Sequence, residues 1–377
     1  MKRKDVPVVV AVAMEAFTEI EDPRINRTKL HSLMNVLVMS LCGAICGANG
    51  WDELAMFART RKKWFGTFLD VPQGTPSADT FRRVFEALDP RELESAMQRW
   101  IATVSDSFAG EVIAIDGKSL KAAVEKAGST TPLHILHAWA VGQHLLLGQQ
   151  SVEGAPGEVA AIPELLKRLR IEGAIVTTDA NGCTKAVTDA VREAKADYVL
   201  TLKGNRGPLH AQVKALFAAA ESREFRGVPT HRSKDKAHGR VEQRTVRALG
   251  LNDAEVCSEW RDLKTVVMVD RTRQVHGETT TERHYYITSL EANATKLAET
   301  IRAHWGIENN LHWMLDVAFD EDSRRIRDER SAENYALVAR MALMMLKRTP
   351  ERLSVALKRK KAGWDPDYMC RLLVSGV

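Results

Sequence analysis

The region that begins at Glu111 constrains the fold most strongly, because helical patterns give way there to short apolar runs separated by turns. The runs EVIAIDGK, LHILHAWAV and HLLLGQQSV follow one another, with a turn at Gly142-Gln143, and predict three adjacent strands. Next come a helix (GEVAAIPELLKRLR), a strand (GAIVTTDA), a helix (GCTKAVTDAVREA) and a strand (DYVLTLK). A meander followed by alternating strands and helices predicts an α/β fold, a mixed sheet flanked by helices.

The flanking regions have different patterns. Residues 17–104 read as helices, residues 223–288 are charged and predict strands, and residues 297–316 return to a helical pattern before another apolar helix. We therefore expect three parts: a helical N-terminal domain over 1–105, a central domain over 106–350 interrupted by a β-rich insertion at about 224–288, and a basic C-terminal tail over 351–377.

The composition is that of a globular protein: of 377 residues, 45% are hydrophobic and 27% charged, which argues against disorder and coiled coil. A net charge of +5 is mildly basic, so a nucleic-acid site would have to come from local basic patches. Five scattered cysteines favour a reducing compartment over a disulfide framework. Cys42 and Cys46 lack a second Cys or His pair at zinc spacing, so we interpret them as buried helical thiols.

Two apolar runs are long enough to be considered as a signal peptide or a membrane span. The run from Val6 to Met14 follows a basic start but is short and broken by Pro7, unlike a signal peptide. The run from Leu33 to Ala48 is shorter than the ~20 residues that a membrane span needs. We interpret both as core segments and expect a cytoplasmic protein without a membrane partner.

Two acids stand at the ends of apolar strands. Asp116 ends VIAID and Asp179 ends AIVTTD. A buried carboxylate is costly unless it faces a cation or a proton acceptor, although each Asp alone would also suit a turn or a helix cap. The pair is more informative, since adjacent strands would bring both carboxylates to the same end of the sheet.

A third acid is expected on the helix over 297–316. His304, Glu308, His312 and Asp316 are each four residues apart and would share one helical face. Zinc bound by both histidines is disfavoured, because eight residues at 1.5 Å rise separate them by roughly 12 Å. Glu308 is preferred over Asp316 and the later Glu321 because of its position within the helix. Three carboxylates select a hard cation such as Mg²⁺ or Mn²⁺.

Two strand-end aspartates and a helical glutamate on a mixed sheet favour two-metal phosphoryl transfer. The motifs AIDGKSLKAA, AIPELLKRLRIEGAIVTTDANGC, ADYVLTLKGNRGPL, HGRVEQRTV and HWGIENNLHWMLDVAFDEDSRRIR, with PSADTFRRVF upstream, occur in one order. In these motifs the chain resembles the H-repeat-associated, ISAs-type DDE transposases of bacterial insertion sequences.

The resemblance implies a ribonuclease-H-like catalytic domain behind a helical domain that contributes DNA-end binding or dimerisation. It implies a catalytic and metal-binding triad of Asp116, Asp179 and Glu308, with two Mg²⁺ ions per site and Mn²⁺ as a substitute. The implied substrate is double-stranded DNA, both terminal inverted repeats and target DNA, bound by a homodimer near the bacterial nucleoid. Related transposases often carry Tyr, Arg and Lys where this chain has Ile301, His304 and Leu315, which leaves open whether excision uses a hairpin or a copied intermediate.

Predicted DNA contacts surround these acids. Residues 231–247 hold six basic residues against two acids, and residues 347–361 hold seven against one. A solvated surface or internal ion pairs would explain many of these charges equally well, and core packing is preferred for Trp305 and Trp313 over base stacking. The predicted contacts are Lys118, Lys203, Asn205, Arg206, His238, Arg240, His304, Asn309, His312, Arg325 and Arg327.

Other functions remain open at this point. A stand-alone, structure-selective nuclease of the same fold would cleave DNA without joining ends. A DNA-binding relic of a transposase would do neither, and retention of all three acids weighs against it. A glycosidase with paired carboxylates is less favoured, because the chain lacks an aromatic-rich sugar cleft pattern.

Overall fold

The computed structural model describes residues 15–25, 29–120, 133–237, 240–251, 259–275, 278–324 and 326–375. A single nine-stranded mixed sheet forms its centre. The strands are β1 Val112–Leu120, β2 Leu133–Ala140, β3 Leu145–Val152, β4 Ile175–Thr178, β5 Asp197–Leu202, β6 Thr230–Ala237, β7 Arg240–Gly250, β8 Thr265–Val275 and β9 Glu278–Thr288. Their spatial order is β3-β2-β1-β4-β5-β9-β8-β7-β6.

The first five strands form the half of the sheet that the sequence predicts. β1, β2 and β3 are antiparallel neighbours, and β1, β4 and β5 pair in parallel. Every residue of β2 and of β4 is buried, as expected of strands covered on both faces. The prediction of a mixed sheet flanked by helices is therefore confirmed.

The β-rich insertion continues this same sheet. β9 pairs antiparallel with β5, and β8, β7 and β6 follow outward as an antiparallel meander. β6 was not predicted, because its sequence THRSKDKA has no apolar alternation. It is the outermost strand and none of its described side chains is buried; charges on such an edge discourage pairing with other chains.

The helices cover the sheet and build a second layer from both ends of the chain. They are α1 Leu33–Cys46, α2 Trp51–Thr60, α3 Lys62–Phe65, α4 Ala78–Ala87, α5 Pro90–Val104, α6 Gly154–Lys167, α7 Lys185–Glu193, α8 Gly207–Glu221, α9 Ala294–His304, α10 Trp313–Phe319, α11 Glu329–Arg348, α12 Val355–Trp364 and α13 Pro366–Ser375. The long helix α11 packs against α1, α4 and α5. Asn334 of α11 supports another helix: its amide donates to the carbonyls of Phe85 (3.0 Å) and Leu88 (2.8 Å) at the end of α4.

The expectation of a basic tail over 351–377 is wrong. The segment forms α12 and α13, and Tyr368 and Leu372 are buried in the common core. Several of its cations close helix ends: Lys358 Nζ donates to the carbonyls of Leu346 (2.8 Å) and Thr349 (2.7 Å). Arg359 Nη2 likewise donates to a carbonyl at the end of α1 (2.8 Å). Much of the charge assigned to phosphate binding is therefore structural.

No single helix in the described parts of the chain has the length and apolar character to cross a membrane. α1 and α2 reach that threshold only as a pair, and they are bent by 98° relative to each other. Most of α1 is buried inside the protein, as expected for a core segment.

Candidate active site

The register of the neighbouring strands β1 and β4 brings Asp116 and Asp179 next to each other where β4 ends. The last paired residues of these parallel strands are Ile115 and Thr178, and each aspartate is the next residue along the chain. Asp179 follows the end of β4, but β1 continues past Asp116 to Leu120, so the expectation that Asp116 ends its strand is wrong. Oδ1 of Asp179 accepts the backbone N–H groups of Asn181 (2.9 Å) and of residue 182 (3.2 Å), which orients that carboxylate. The two predicted strand-end acids therefore lie side by side.

The glycine of the Asp-Gly-Lys motif is required by a close approach. A Cβ at Gly117 would overlap the carboxylate of Glu158 and the ring of His134, which contact each other across it. The other ring nitrogen of His134 lies 2.8 Å from Oγ of Ser119. This polar group lies beside Asp116, and the charge of Glu158 contributes to raising the pKa of Asp116.

Glu308 approaches Asp116 from a widened helical turn. α9 ends at His304, and Glu308–His312 form a π-helical turn before α10 begins. Nδ1 of His312 lies 3.2 Å from Oε2 of Glu308 and 3.7 Å from Oδ2 of Asp116. The ligand atoms of Asp116, Glu308 and His312 all lie within 4.8 Å of one another. Such wide turns often occur at functional sites.

The expected regular helix over 297–316, with four residues on one face, is therefore wrong. Nδ1 of His304 lies 2.9 Å from Oγ1 of Thr177 on β4, and Asp316 accepts a hydrogen bond from Lys118 Nζ at 2.6 Å. The π turn changes the angular spacing, so only Glu308 and His312 of the four face Asp116.

The electrostatics of the site suit a cation. Burial raises the pKa of Asp116 to about 6, and the negative charges of Asp179 and Glu158 add to this effect. The pKa of Glu308 is lowered, chiefly by its hydrogen bond with His312. The carboxylates crowd together in a partly buried site and present the oxygen ligands that a hard divalent cation prefers. The residues present therefore fit the metal that the sequence implies.

The acids that compete with Glu308 are already engaged. Glu321 is buried and accepts a hydrogen bond from Nη1 of Arg340 at 2.8 Å. Asp316 is held by Lys118, which itself is largely buried. Their positions favour Glu308 as the third acid.

The predicted DNA contacts fall into different environments. Lys203 and Asn205 are exposed after β5, but the amide of Asn205 also donates to the carbonyl of Ala180, in the loop that follows Asp179 (2.9 Å). Arg206 donates to carbonyls of the same loop, at 2.5 and 3.3 Å. These side chains brace the loop beside Asp179.

Lys118, His304 and His312 are placed differently from a surface contact. All three side chains point into the protein, toward Asp316, β4 and the acidic cluster respectively. Their polar atoms make internal contacts, and a direct contact of these residues with DNA stays a prediction.

The remaining predicted contacts are on the surface or outside the described residues. Asn309 and Arg327 are exposed. Arg240 on β7 is 45% exposed and lies 3.7 Å from Glu242, which Arg271 also approaches at 3.1 Å. His238 and Arg325 lie outside the described residues.

Two tryptophans flank the π turn at the surface. Trp305 is 61% exposed and Trp313 is 51% exposed. The expectation that they pack in the core is wrong, because Leu311 and Leu315 fill the buried face of this segment.

Two buried residues near the site, His137 and Arg340, were not predicted from the sequence. His137 lies on β2, with one nitrogen 3.3 Å from His312 and the other accepting a 2.9 Å hydrogen bond from Arg340. His134 and His137 are two histidines within the otherwise apolar run LHILHAWAV, and this pattern is the signal that could have indicated such a role.

The Transposase DDE domain family matches residues 107–345, the region that carries all three acids. The chain belongs to this family of insertion-sequence transposases. The DDE_Tnp_1-associated family matches residues 14–101, within the helical N-terminal part. With its nine-stranded mixed sheet and flanking helices, the chain has the ribonuclease-H-like fold of DDE transposases.

Two relatives cover nearly the whole chain and a third covers about three quarters of it. "Putative transposase YncI" of Escherichia coli O157:H7 is 32% identical over 369 residues, covering 96% of this chain and 94% of the relative. "H repeat-associated putative transposase YhhI" of Escherichia coli strain K12 is 32% identical over 372 residues, covering 96% and 97%. "Uncharacterized protein in dhlA 3'region" of Xanthobacter autotrophicus is 37% identical over 285 residues, covering 74% and 94%.

Proposed function

We propose that this transposase is catalytically active: it binds the terminal inverted repeats of its element, cleaves the DNA there and transfers the 3′ ends to target DNA. One observation carries the proposal. Asp116 and Asp179 lie on neighbouring strands at the end of β4, and a carboxylate oxygen of Glu308 lies within 4.8 Å of one of Asp116. Three acids from three separate parts of the sequence converge where a polyanionic substrate needs cations.

In this proposal Asp116, Asp179 and Glu308 hold two Mg²⁺ ions, with Mn²⁺ as a substitute. The bound ions would activate a water or a 3′-hydroxyl and stabilise the leaving oxygen of the phosphodiester. The protein contributes fixed geometry: the Asp179 carboxylate is oriented by two backbone N–H groups, and Glu308 by His312. Lys118, held by Asp316, adds a positive charge that lowers the pKa of Glu308.

The surface around the acids suits DNA. Trp305 and Trp313 offer exposed rings on both sides of Glu308, on which bases could stack. In the insertion, Arg240, Arg244 and Arg271 surround the buried Glu242, and Arg244 and Arg271 also pair with Asp235 and Glu282. Arg240 is the most exposed of the three arginines and is the one best placed for a phosphate.

We extend the proposal to the rest of the assembly. The N-terminal helices, with exposed Arg59, Lys62 and Lys63, would contribute to DNA-end binding or dimerisation. An element has two ends, so we propose a homodimer on DNA, acting in the bacterial cytoplasm where the chromosome lies.

A strand-transfer assay tests the proposal. The full chain is incubated with Mg²⁺, a duplex carrying the inverted repeats that flank its reading frame, and a target plasmid. We expect cleavage at the repeat ends and joined products, both absent with Asp179→Asn. Cleavage without joining would indicate the nuclease alternative, and repeat binding without cleavage would indicate a DNA-binding relic; either result would overturn the proposal.

A further inference from the structure

A buried chain of polar side chains leads from the acidic cluster into the protein core. Nε2 of His312 lies 3.3 Å from Nδ1 of His137, and Nε2 of His137 lies 2.9 Å from Nε of Arg340. Arg340 in turn donates from Nη1 to Glu321 at 2.8 Å. Arg340 and His137 have no exposed surface, and His312 and Glu321 are 3% exposed.

The direction of each hydrogen bond in this chain follows from its arginine. The Nε–H of Arg340 can only donate, so Nε2 of His137 must accept. A neutral His137 then carries its proton on Nδ1 and donates it to Nε2 of His312. Burial and the nearby Arg340 lower the pKa of His137 well below its usual range, in keeping with a neutral ring.

The same logic fixes His312. Its Nε2 accepts from His137, so its proton is on Nδ1, the nitrogen that faces the carboxylates of Glu308 and Asp116. If Nδ1 were instead a lone pair aimed at a metal, Nε2–H of His312 would face a second N–H on His137. Two opposed donors in a site closed to water would be unfavourable.

We propose that Arg340, acting through His137, fixes His312 as an Nδ1–H donor that holds the carboxylates of Asp116 and Glu308 in place. His312 is then a positioning residue for the metal-binding acids and not itself a metal ligand, although its nitrogen lies within their cluster. This inference rests on the proposed function, since it concerns how the same acids are prepared for cations.

Nuclear magnetic resonance of the full chain labelled with ¹⁵N-histidine tests the proton positions directly, without metal or DNA. His312 and His137 are assigned from the signals lost in His312→Asn and His137→Gln. We expect both rings to be neutral, with the proton on Nδ1. The assignment uses variants that unfold cooperatively, and the proton positions are read from the wild-type protein. A proton on Nε2 of His312 would overturn the proposal.

Two matched variants test the positioning role through Mn²⁺ affinity. Asn places an amide N–H where Nδ1–H lies, whereas Gln places it near Nε2. We expect His312→Asn to retain most of the affinity and His312→Gln to lose ~10-fold, the usual scale for groups that orient metal ligands. Equal affinities in two variants that unfold cooperatively would contradict the proposal.

Pulsed electron paramagnetic resonance of the Mn²⁺-loaded protein provides the last arm. We expect no histidine nitrogen bound directly to Mn²⁺, and a directly bound nitrogen that disappears in His312→Asn would overturn the proposal. Absent strand transfer together with the expected proton positions and Mn²⁺ affinities would reject the proposed function alone. Normal strand transfer with a bound His312 nitrogen would reject this inference alone.

Discussion

The two halves of the nine-stranded sheet use charged residues in opposite ways. In the half built from β1 to β5, Asp116 is partly buried and its neighbours form directed hydrogen bonds that end at Arg340. In the half built from β6 to β9, arginines stand partly in solvent; Arg240, Arg244 and Arg271 share one buried acid, Glu242.

This difference matches two physical tasks. Buried charges are worth having only when each has a well-oriented partner, so they suit a site in which atoms must stay in fixed positions. Exposed charges with surplus positive sign contribute little to stability, but they attract a polyanion over a broad surface. We call the half built from β1 to β5 the rigid half and the half built from β6 to β9 the adaptable half of the sheet.

The largest expected effect falls on the rigid half. Glu308→Gln keeps the shape but removes the charge, so the protein should fold and bind repeat DNA while losing cleavage by at least ~100-fold. Glu299→Gln, an exposed glutamate on α9, is the matched control and should cleave normally. Single-turnover cleavage with Mg²⁺ measures both. Near-normal cleavage by Glu308→Gln, with loss in Asp316→Asn, would assign the third acid to Asp316.

The second effect concerns stability. Arg340→Met leaves Glu321 buried without its closest partner and should lower the free energy of unfolding by about 3–5 kcal/mol. Lys264→Met removes an exposed ion pair with Glu291 (2.8 Å) at the start of β8 and should cost at most about 1 kcal/mol. Urea denaturation gives both values.

A double variant checks the cause. Arg340→Met combined with Glu321→Leu should be more stable than Arg340→Met alone, because it removes the buried carboxylate that has lost its closest partner. Arg324, which lies 3.6 Å from Glu321, keeps its contact with the ring of Tyr335. If the double variant is less stable than the single one, the loss of unfolding free energy in Arg340→Met comes from lost packing. The contrast between buried and exposed charges would then not explain that loss.

The rigid half was also the more predictable one, for a physical reason. Its strands are apolar and end at turns, so hydrophobic period and the order of strands and helices suffice to place Asp116 and Asp179 together. The strand β6 escaped prediction because an exposed edge strand has no apolar face, and α8 was not foreseen.

Long-range side-chain contacts were beyond the sequence. The π turn changes the spacing by less than one residue per turn, and His304 and Asp316 contact Thr177 and Lys118, whereas Glu308 and His312 approach Asp116. The contact between His137 and Arg340 joins residues 203 positions apart, with no local pattern to indicate it. The basic segment over 347–361 was predicted to bind phosphate, but several of its cations bind backbone carbonyl groups. The sequence does not indicate this, because those carbonyls are far away in the sequence or at a helix end.

The third prediction compares the pH dependence of the two halves. Burial raises the pKa of Asp116 to about 6 from the usual 3.8, so the native protein without metal binds more protons than the unfolded chain between these values. This group should therefore make stability fall as pH rises through that window. Asp270 in the insertion has a lowered pKa, because hydrogen bonds from Arg283 and Arg247 outweigh its burial, so its contribution is lost as pH falls below about 3.8.

Chemical denaturation between pH 4 and 7 measures the slope, with ~10 mM EDTA to remove cations. Asp116→Asn should flatten the decline relative to the wild type, and Mg²⁺ should oppose it by favouring the ionised carboxylate. An unchanged slope in Asp116→Asn would show that another group produces the decline.

The smallest expected effect tests the adaptable half. If Arg240 contacts a phosphate, Arg240→Ala should weaken binding to all DNA sequences and lower the slope of log affinity against log salt by ~1. Arg226→Ala is the matched control, since Arg226 is more exposed, is paired with Glu224 and lies before the insertion strands; it should leave the slope unchanged. The difference between the two slopes isolates position from net charge, because each variant removes one positive charge. Equal slopes for Arg240→Ala and the wild type would mean that Arg240 pairs with Glu242 within the sheet and does not contact a phosphate. The contrast between the two halves would then concern burial and not DNA binding.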